Sequence, residues 1–381
     1  MKEITFVRHY VTIFEKKLAR ALKNKGYKVN LVSFYKLDKV DEDAFDENYY
    51  FLTRDKEKLN KISKILRLPK FILKLRKIKK TILIGVSEPN WFVTAIFILL
   101  GMKTDCKIYY PYDITYFRFK NYKKIPCYER FSEKYNFTHC DGIIHKGPKN
   151  QLEWLPSSFN AKNIPSLQFL PYCDTKNFIK MDKKYFEKKI SKTEGGLHLV
   201  KLGHVIINVP STHPSLEVFK EIIKQKIYVH VYAVNYEKFV HNPEYKELQK
   251  NKYFKVHKPI YGKNFLKEIS KYDWGIEVAY HNFDKRNKKW VKTAYAHKIS
   301  SHLEAGLPSI VNEQLSFLAD VVDKNEFGIV IKDVNELSDR IKKANYSQLI
   351  NKIKANRTGF TLEKNIDRVI SFINQLYPIK R

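Results

Sequence analysis

The sequence has few cysteines, no long apolar run and a shortage of acidic residues. Its four cysteines, in a chain of 381 residues, form no CxxC pair and show no histidine spacing typical of a metal site. We therefore expect free thiols in a reducing compartment, and neither a disulfide framework nor a zinc site. The start of the chain lacks a signal-peptide pattern. The longest apolar run, residues 91–100, is about half the length of a membrane-spanning helix, so we expect no such helix.

Because acidic residues are few, the chain has a large net positive charge. Lysine and arginine number 71 against 40 aspartates and glutamates, which gives a formal net charge of +31. A codon bias toward lysine would explain the lysine content but not the imbalance, because the same bias favours glutamate. A surface this basic suits an anionic membrane, a nucleic acid or a polyanionic substrate.

Two successions of strands and helices follow one another along the chain. A strand at 2–7, a helix at 12–25 closed by Gly26 and a strand at 28–34 open a βαβ unit, which predicts a parallel sheet. A second alternation begins after the charged stretch 180–193, which predicts a charged linker near 180–195 between the two halves. The length and these patterns predict two α/β domains, residues 1–180 and 195–350. We expect the helical segment 351–381 to pack back on the first domain.

Three stretches of the second half resemble the C-terminal domain of GT-B glycosyltransferases, a group that includes family 4-like enzymes and bacterial surface-polysaccharide transferases. They are KPIYGKNFLKEISKYDWGIEV at 258–278, HKISSHLEAGLPSIV at 297–311 and DVVDKNEFGIVIKDVNELSDRI at 320–341. The resemblance implies two Rossmann-like domains that face each other across a cleft. The first would bind the acceptor and the second a nucleotide sugar, which we expect to be UDP-linked.

The same resemblance implies a reaction and its requirements. We expect a hexosyltransferase that moves a sugar to a glycan or a lipid-linked saccharide in the synthesis of cell-surface polysaccharide or glycolipid. GT-B enzymes stabilise the leaving diphosphate with basic residues and helix dipoles, and no DxD motif is evident in the sequence, so we expect no metal and no cofactor.

The resemblance places the donor diphosphate at the start of the helix that begins KISS. Lys298 would supply a positive charge there, with hydrogen-bond donors from the hydroxyls of Ser300 and Ser301 and from free backbone N–H groups, beside His297. A solvated helix end is the plainer interpretation of Lys298, but its position before the family's glycine and proline favours donor binding. Relatives also contact the nucleotide at positions that correspond here to Gly203, His204, Tyr261 and Gly262.

One position departs from the family pattern. The family 4-like enzymes usually carry a glutamate five residues before the glycine that is Gly306 here, and that glutamate contacts the donor ribose. This chain has Ser301 at that position, and Glu304 should lie on a different face of the helix. The identity of the donor is therefore less well defined by the sequence than the fold.

Candidate catalytic residues follow strands of the first half. An inverting transfer needs a carboxylate or an imidazole that removes the proton of the acceptor hydroxyl. Asp113, in PYDITYF, is the first candidate, and a turn or N-cap aspartate is the alternative interpretation. Glu88, in VSEPNW, and His9, which follows the first strand with Arg8 and Tyr10, are further candidates.

A basic segment in the first half predicts a membrane contact. Residues 58–80, KLNKISKILRLPKFILKLRKIKK, carry ten lysines or arginines and no acid, with apolar residues at helical spacing. Such a segment can lie on an anionic leaflet, although a packed helix with a solvated lysine face explains the pattern equally well. We expect a cytoplasmic protein that is peripheral on the inner face of the plasma membrane.

Two other functions remain open at this point. A sugar-nucleotide epimerase shares the two-domain fold and would act on a nucleotide sugar without an acceptor. A non-enzymatic basic nucleic-acid binder is suggested by charge alone. The sequence contains no recognisable helix-turn-helix, RRM or zinc module, so we expect no nucleic-acid partner.

Overall fold

The computed structural model describes residues 2–37, 39–52, 61–78, 81–101, 104–119, 121–205, 215–262, 264–279 and 285–377, without the side chains of 39–41, 61–65 and 285–287. The chain forms two compact units. Unit 1 consists of Met1–Leu170 and Asn365–Arg381, and unit 2 consists of Pro171–Lys364.

Unit 1 contains a parallel sheet of seven strands in the order β3-β2-β1-β4-β5-β6-β7. The strands are β1 (Glu3–Arg8), β2 (Lys28–Tyr35), β3 (Glu47–Leu52), β4 (Thr81–Val86), β5 (Thr104–Tyr110), β6 (Gly142–His145) and β7 (Ser166–Gln168). The helices are α1 (Ile13–Asn24), α2 (Lys61–Leu75), α3 (Asn90–Leu99), α4 (Thr115–Arg118) and α5 (Cys127–His139). Short 3₁₀ turns connect them at Lys39–Ala44, Tyr122–Lys124, Lys149–Trp154, Ser157–Phe159 and Ala161–Asn163.

Unit 2 contains a parallel sheet of six strands in the order β10-β9-β8-β11-β12-β13. The strands are β8 (His198–Gly203), β9 (Tyr228–Ala233), β10 (Phe254–His257), β11 (Trp274–Glu277), β12 (Ser309–Asn312) and β13 (Gly328–Ile331). The helices are α6 (Lys183–Glu187), α7 (Ile190–Thr193), α8 (Ser215–Lys224), α9 (Tyr236–Val240), α10 (Pro243–Gln249), α11 (Asn264–Ile269), α12 (Lys285–Thr293), α13 (Lys298–Glu304), α14 (Ser316–Lys324), α15 (Leu337–Lys343), α16 (Tyr346–Asn356) and α17 (Leu362–Leu376). Two 3₁₀ turns lie at Thr175–Asn177 and Val334–Glu336.

Both sheets have the Rossmann strand order, because each turns back on itself beside its first strand. β4 follows β3 along the chain but pairs with β1 in unit 1, and β11 pairs with β8 in unit 2. The central strands are near-continuous apolar runs, as expected for parallel strands that are covered on both faces. Ligands of such sheets bind beyond the carboxyl ends of the strands, in the crevice at this switch point. The predicted α/β class is confirmed.

The predicted linker at 180–195 is not a free connection. It forms α6 and α7, which pack on the rest of unit 2. The Tyr185 hydroxyl donates to the Gly306 carbonyl at 2.7 Å, and the buried Lys189 ammonium donates to the carbonyls of Ser270 at 2.9 Å and Tyr272 at 2.6 Å. The surplus of charge in this stretch suggested a solvated linker, but its tyrosine and one of its lysines are buried.

The C-terminal helix α17 begins in unit 2 and ends in unit 1. Its second half packs on β6, where Gly142 leaves room for it. A Cβ atom at Gly142 would lie 2.4 Å from Leu376 and 2.9 Å from Phe372. Lys25 pairs with Asp367 at 2.7 Å and so holds the same part of the helix against α1.

Three histidines form a hydrogen-bonded chain across the unit 2 sheet. Nδ1 of His198 lies 2.9 Å from Nε2 of His230, and Nδ1 of His230 lies 3.0 Å from Nε2 of His257. Because His198 Nε2 lies 2.9 Å from the Gly195 carbonyl, which can only accept, the neutral chain carries its protons on Nε2 throughout. Burial lowers the pKa of His230 to about 3, with help from its charged neighbours His257 and His198.

The four cysteines are all free thiols. Cys106, Cys140 and Cys173 are buried free thiols, and Cys127 is an exposed one. Within the described ranges, no cluster of histidine, cysteine and carboxylate side chains could hold a metal ion. Across those same ranges, every helix is too short or too polar to span a bilayer.

A glycine and a histidine fix the contact between β11 and α13. A Cβ atom at Gly275 would lie 2.4 Å from ring atoms of His302, whose buried imidazole also contacts the Ser309 hydroxyl at 3.0 Å. We expect Gly275→Ala to lower the free energy of unfolding by roughly 1–3 kcal/mol, because neither the sheet nor the buried ring can give way. Urea unfolding measures this change.

Gly101→Ala is the matched control, because its Cβ atom would enter open space. We expect a change near zero there. Equal losses in the two variants would contradict the close contact between Gly275 and His302.

Candidate functional site

Three charged residues meet at the switch point of the unit 2 sheet. Lys201 projects from β8, Glu277 ends the neighbouring strand β11, and Lys298 begins α13. The Glu277 carboxylate lies 2.6 Å from the Lys201 ammonium and 3.0 Å from the Lys298 ammonium. Lys298 was predicted from the sequence as a site residue, whereas Lys201 and Glu277 were not. We call these three residues the lysine–glutamate cluster.

The electrostatics of this cluster keep its carboxylate ionised. Burial alone would raise the pKa of Glu277, but Lys201 and Lys298 outweigh it and lower that pKa to about 2. Burial lowers the pKa of Lys201 to about 8, although Glu277 acts in the opposite direction. The cluster therefore carries two cations and one anion at neutral pH, a net positive charge beside the ends of the strands.

A glycine makes room for Lys298. Gly203, the last residue of β8, has a φ of 98°, and a Cβ atom there would lie 2.8 Å from Cε of the lysine. Both features require glycine, since an L side chain is strained in this region and would displace the lysine stem. Gly203 is thus adjacent to the cluster, and its predicted contact with the nucleotide stays a prediction.

The start of α13 has fewer backbone N–H and hydroxyl groups available as hydrogen-bond donors than predicted from the sequence. The N–H groups of Ile299 and Ser300 donate to the Ala296 and His297 carbonyls, both at 3.1 Å, because the chain is already helical at His297. The Ser300 hydroxyl is buried and donates to the Pro171 carbonyl. These donors are therefore already engaged, while Ser301 and His297 lie half-buried at the same end of the helix.

Glu304 and His302 have structural roles in the same helix. The buried Glu304 carboxylate accepts the Asp174 N–H at 2.8 Å and so holds the first residues of unit 2. Burial lowers the pKa of His302 to about 3, so this imidazole is neutral at physiological pH. Glu304 thus supports the fold of unit 2.

A groove of about 980 Å³ lies along the carboxyl ends of β8, β9 and β10. His204 lines it, with Asn235, Tyr236 and Lys258 on the opposite sides. The Asn235 amide group fixes one wall, because it accepts the Val205 N–H at 3.0 Å and donates to the Val205 carbonyl at 2.8 Å. The first lining residue, His204, directly follows Gly203, which contacts Lys298 of the lysine–glutamate cluster.

The predicted residues Tyr261 and Gly262 lie beyond β10 on the surface. The Tyr261 ring is exposed, and Gly262 has a φ of 72°, a conformation that favours glycine. Tyr261 follows Pro259, which lines the groove together with Lys258, by two residues. The contact of Tyr261 and Gly262 with a nucleotide stays a prediction.

A second group of charges lies at the carboxyl ends of β1, β4, β5 and β6 in unit 1. The Asp113 carboxylate pairs with the Lys146 ammonium at 3.1 Å. The Lys146 ammonium also lies 4.2 Å from the centroid of the Tyr112 ring, and the Arg8 guanidinium lies 4.9 Å from the same centroid. Asp113 is therefore held by an ion pair.

Glu88 has the properties of a proton acceptor. Burial raises the pKa of its carboxyl, and the nearby Asp113 carboxylate adds to the effect, against the opposing influence of Arg118 and Arg8. Its carboxylate also forms an ion pair with Arg118 on α4. A carboxylate with a raised pKa accepts a proton more readily, so Glu88 stays a candidate base.

His9 lies among aromatic rings. Its imidazole stacks on Phe34 with the ring centroids 4.6 Å apart. Burial lowers the pKa of His9 to about 4, and Arg8 contributes to the effect. The imidazole is neutral at physiological pH but a weak base, so it is less suited to proton removal than Glu88.

The basic segment 58–80 forms α2 where the structure describes it. Residues 58–60 and 79–80 lie outside the described residues. Phe71 and Leu75 are buried, and Phe71 packs on Phe51 of β3 with the ring centroids 5.4 Å apart. Leu66 and Leu73 are exposed between exposed lysines. The inner face of this helix is therefore packed, and a membrane contact of its exposed face stays a prediction.

Lys201, Glu277 and Lys146 are functional candidates that the sequence analysis did not select. A pattern could have revealed the first two: each is an isolated charge near the end of an apolar strand, HLVKLG and WGIEV. Fully buried charges are rare unless they are paired. In the Rossmann order these two strands are neighbours, so the pair could have been inferred.

The comparisons with known proteins agree with this architecture. Residues 214–365 match the family model described as the glucosyltransferase 3-like C-terminal domain. No curated protein sequence matches the chain. The chain is similar in structure to HepE from Anabaena, solved with UDP and glucose, with a TM-score of 0.65 and 10% identity over 97% of this chain and 100% of that one.

Two further solved structures have similar values. A glycosyltransferase from Rickettsia africae has a TM-score of 0.62 at 12% identity and covers 98% of each chain. TarM has a TM-score of 0.64 at 11% identity and covers 99% of each chain. At these identities the likeness establishes the fold. The GT-B fold and the resemblance to GT-B glycosyltransferases, both predicted from the sequence, are therefore confirmed.

The buried carboxylate of the cluster should stabilise unit 2 because it neutralises two lysines. We expect Glu277→Gln to lower the free energy of unfolding at pH 7 by about 3 kcal/mol, since the change leaves Lys201 buried without its counter-charge. Chemical unfolding followed by circular dichroism measures it.

Glu247→Gln is the control, since Glu247 pairs with Lys250 at 2.6 Å on the surface. An exposed pair of this kind contributes about 0.5 kcal/mol or less. The assignment fails if the Glu277 and Glu247 variants are equally stable.

Proposed function

We propose that the protein is a glycosyltransferase that transfers a sugar from a UDP-linked donor to a saccharide acceptor. The observation that carries the proposal is the lysine–glutamate cluster, with two cations around one carboxylate at the switch point of the unit 2 sheet. This is the place where a Rossmann sheet binds its ligand. The UDP and glucose in the HepE structure support the choice of donor.

The cluster would bind and stabilise the diphosphate of the donor. Lys298 is partly exposed, so its ammonium can turn from Glu277 to a phosphate oxygen. Lys201, which is less exposed, would add charge from beneath. As the bond between sugar and diphosphate breaks, negative charge grows on the leaving oxygen, and both lysines stabilise it. The neighbouring groove, lined by His204 and Lys258, would receive the nucleoside.

Unit 1 would bind the acceptor and accept its proton. Glu88 is our first candidate for the base of an inverting transfer, because its pKa is raised. Asp113 and His9 lie at the same end of the sheet and would orient the acceptor. An acceptor that is a glycan or a lipid-linked saccharide of the cell surface agrees with the basic surface.

We expect Lys298→Ala to weaken UDP binding roughly tenfold to a hundredfold, because a hydrogen bond to a charged phosphate is lost. The pKa of Lys201, about 8, predicts a second effect. Its ammonium is charged below that pH and neutral above it, so UDP affinity should fall between pH 7 and pH 9. Calorimetric titration with UDP measures both effects.

Two further variants serve as controls for these titrations. Lys220→Ala removes an exposed lysine of α8 and should leave UDP affinity unchanged. Lys201→Met should bind more weakly at pH 7 and lose the dependence on pH. Unchanged UDP binding in Lys298→Ala would refute the donor site. Conversion of a UDP-sugar without an acceptor would identify an epimerase instead.

We also propose that α2 attaches the protein to an anionic bilayer on the cytoplasmic side. Its inner face packs on β3 through Phe71, while Leu66, Lys70, Leu73 and Lys74 remain exposed on its surface. An exposed apolar side chain can enter the interface, and each lysine near an anionic surface contributes about 1 kcal/mol. This attachment would bring unit 1 close to lipid-linked acceptors.

We expect the double variant Lys70→Glu/Lys74→Glu to reduce binding to vesicles that contain phosphatidylglycerol by more than tenfold, since two attractive charges become repulsive. Flotation of the vesicles measures the bound fraction. The matched control is Lys342→Glu/Lys343→Glu, which reverses two exposed charges on α15. Equal binding of both double variants would rule out α2 as the attachment site.

A further inference from the structure

An aromatic cluster surrounds His9 at the carboxyl edge of unit 1. Besides its stacking on Phe34, the imidazole lies 5.2 Å from the Tyr35 ring and 5.9 Å from the Trp91 ring, measured between centroids. The Tyr10 ring extends the group, at 6.4 Å from Tyr35. We call these five residues the aromatic cluster.

The cluster is open to solvent. The Tyr10 side chain is 60% exposed, and the other members are partly exposed. Phe34 and Tyr35 end β2 and Trp91 lies at the start of α3, while His9 and Tyr10 directly follow β1. Aromatic rings held in place in this way offer binding area at a low entropic cost.

The cluster adjoins the charged group of unit 1. Arg8 directly precedes His9, its Nε donates to the Tyr10 carbonyl at 2.9 Å, and it pairs with Glu15 at 3.6 Å. Trp91 follows Glu88 by three residues, at the start of α3. Apolar ring faces and ionised hydrogen-bonding groups thus lie side by side at one edge of the sheet.

This combination matches the chemistry of a sugar ring. A pyranose has an apolar face of C–H groups that packs on an aromatic ring, and a rim of hydroxyls that needs charged or amide partners. We propose that the aromatic cluster is the subsite for a sugar ring of the acceptor, with Tyr10 and Trp91 as its stacking platform. The proposal rests on the proposed transferase function and specifies its acceptor as a saccharide.

A lipid bilayer is a less suitable occupant of this surface. The exposed aliphatic side chains Leu66 and Leu73 lie on α2, whereas the cluster presents aromatic rings. A bilayer over the cluster would also cover the partly exposed pair of Glu88 with Arg118. Removing such charges from water is costly, while a sugar replaces water with its own hydroxyls.

The test is glycan binding by the full chain in the absence of any donor. The wild-type protein and the variants Tyr10→Ala and Trp91→Phe are applied to an array of short oligosaccharides, and bound glycans are then titrated in solution by tryptophan fluorescence. We expect Tyr10→Ala to weaken binding by roughly tenfold, in line with the loss of one stacked ring. In Trp91→Phe the fluorescence response should be lost and binding should be largely retained.

Tyr128→Ala is the matched control, because this tyrosine of α5 is 55% exposed in the same unit but lies outside the aromatic cluster. It should bind glycans like the wild type. Thermal unfolding checks that all variants are folded, and calorimetric titration with UDP on the same preparations tests the donor site separately.

Three results would overturn the subsite. They are the absence of glycan binding by the wild type, equal binding by Tyr10→Ala and the wild type, and a loss in Tyr10→Ala of vesicle binding alone. If UDP still binds in these preparations, the subsite fails and the donor site stands. If UDP does not bind, the proposed function fails as well.

Discussion

The structure depends on one constraint, that a parallel sheet covered on both faces has no room for a bare charge. In both units the central strands are near-continuous apolar runs, and the charged side chains of the two candidate sites are paired at or near their carboxyl ends. The lysine–glutamate cluster follows from this rule. Glu277 allows two lysines to stand in a crevice that would otherwise exclude them, and Gly203 leaves space for one of them. In unit 1 the pairs of Asp113 and Glu88 with cations follow the same rule.

This pairing changes the meaning of the lysine that begins α13. From its position in the sequence, the Lys298 ammonium was expected to be unpaired and available to a phosphate, with free backbone N–H groups around it. In the structure the ammonium already has a carboxylate, and two amide groups donate to the preceding turn. A diphosphate would have to compete with Glu277 for the lysine. On the proposed function, donor affinity would depend on how much more strongly Lys298 binds a phosphate than the Glu277 carboxylate. A small difference would fill the site and would still allow the product to leave.

The fold was predictable from the sequence, and the site only in part. β8, β9 and β13 can be recognised in the sequence as apolar runs bounded by glycine or polar residues. β3 (ENYYFL) and β7 were missed, because edge strands are short and mix polar with apolar side chains. Lys298 was found through the resemblance, whereas Glu277 needed the neighbour relation between β8 and β11, which only strand order supplies. The proposed ranking of Glu88 over Asp113 could not be predicted, because it depends on which cation each carboxylate meets. The prediction of a linker at 180–195 was wrong, because the amino-acid composition of that stretch does not show which of its lysines is buried.

The helix that crosses between the units has a consequence for synthesis. Unit 2 is continuous in the chain, but unit 1 needs Phe372 and Leu376 to cover β6 at Gly142. The ribosome releases these residues after all of unit 2, so the unit that begins to emerge first is completed only after the second. Until then one side of its sheet must stay uncovered or be shielded by another protein. Removal of Phe372 and Leu376 should therefore impair the folding of unit 1 before that of unit 2, although these residues follow unit 2 in sequence.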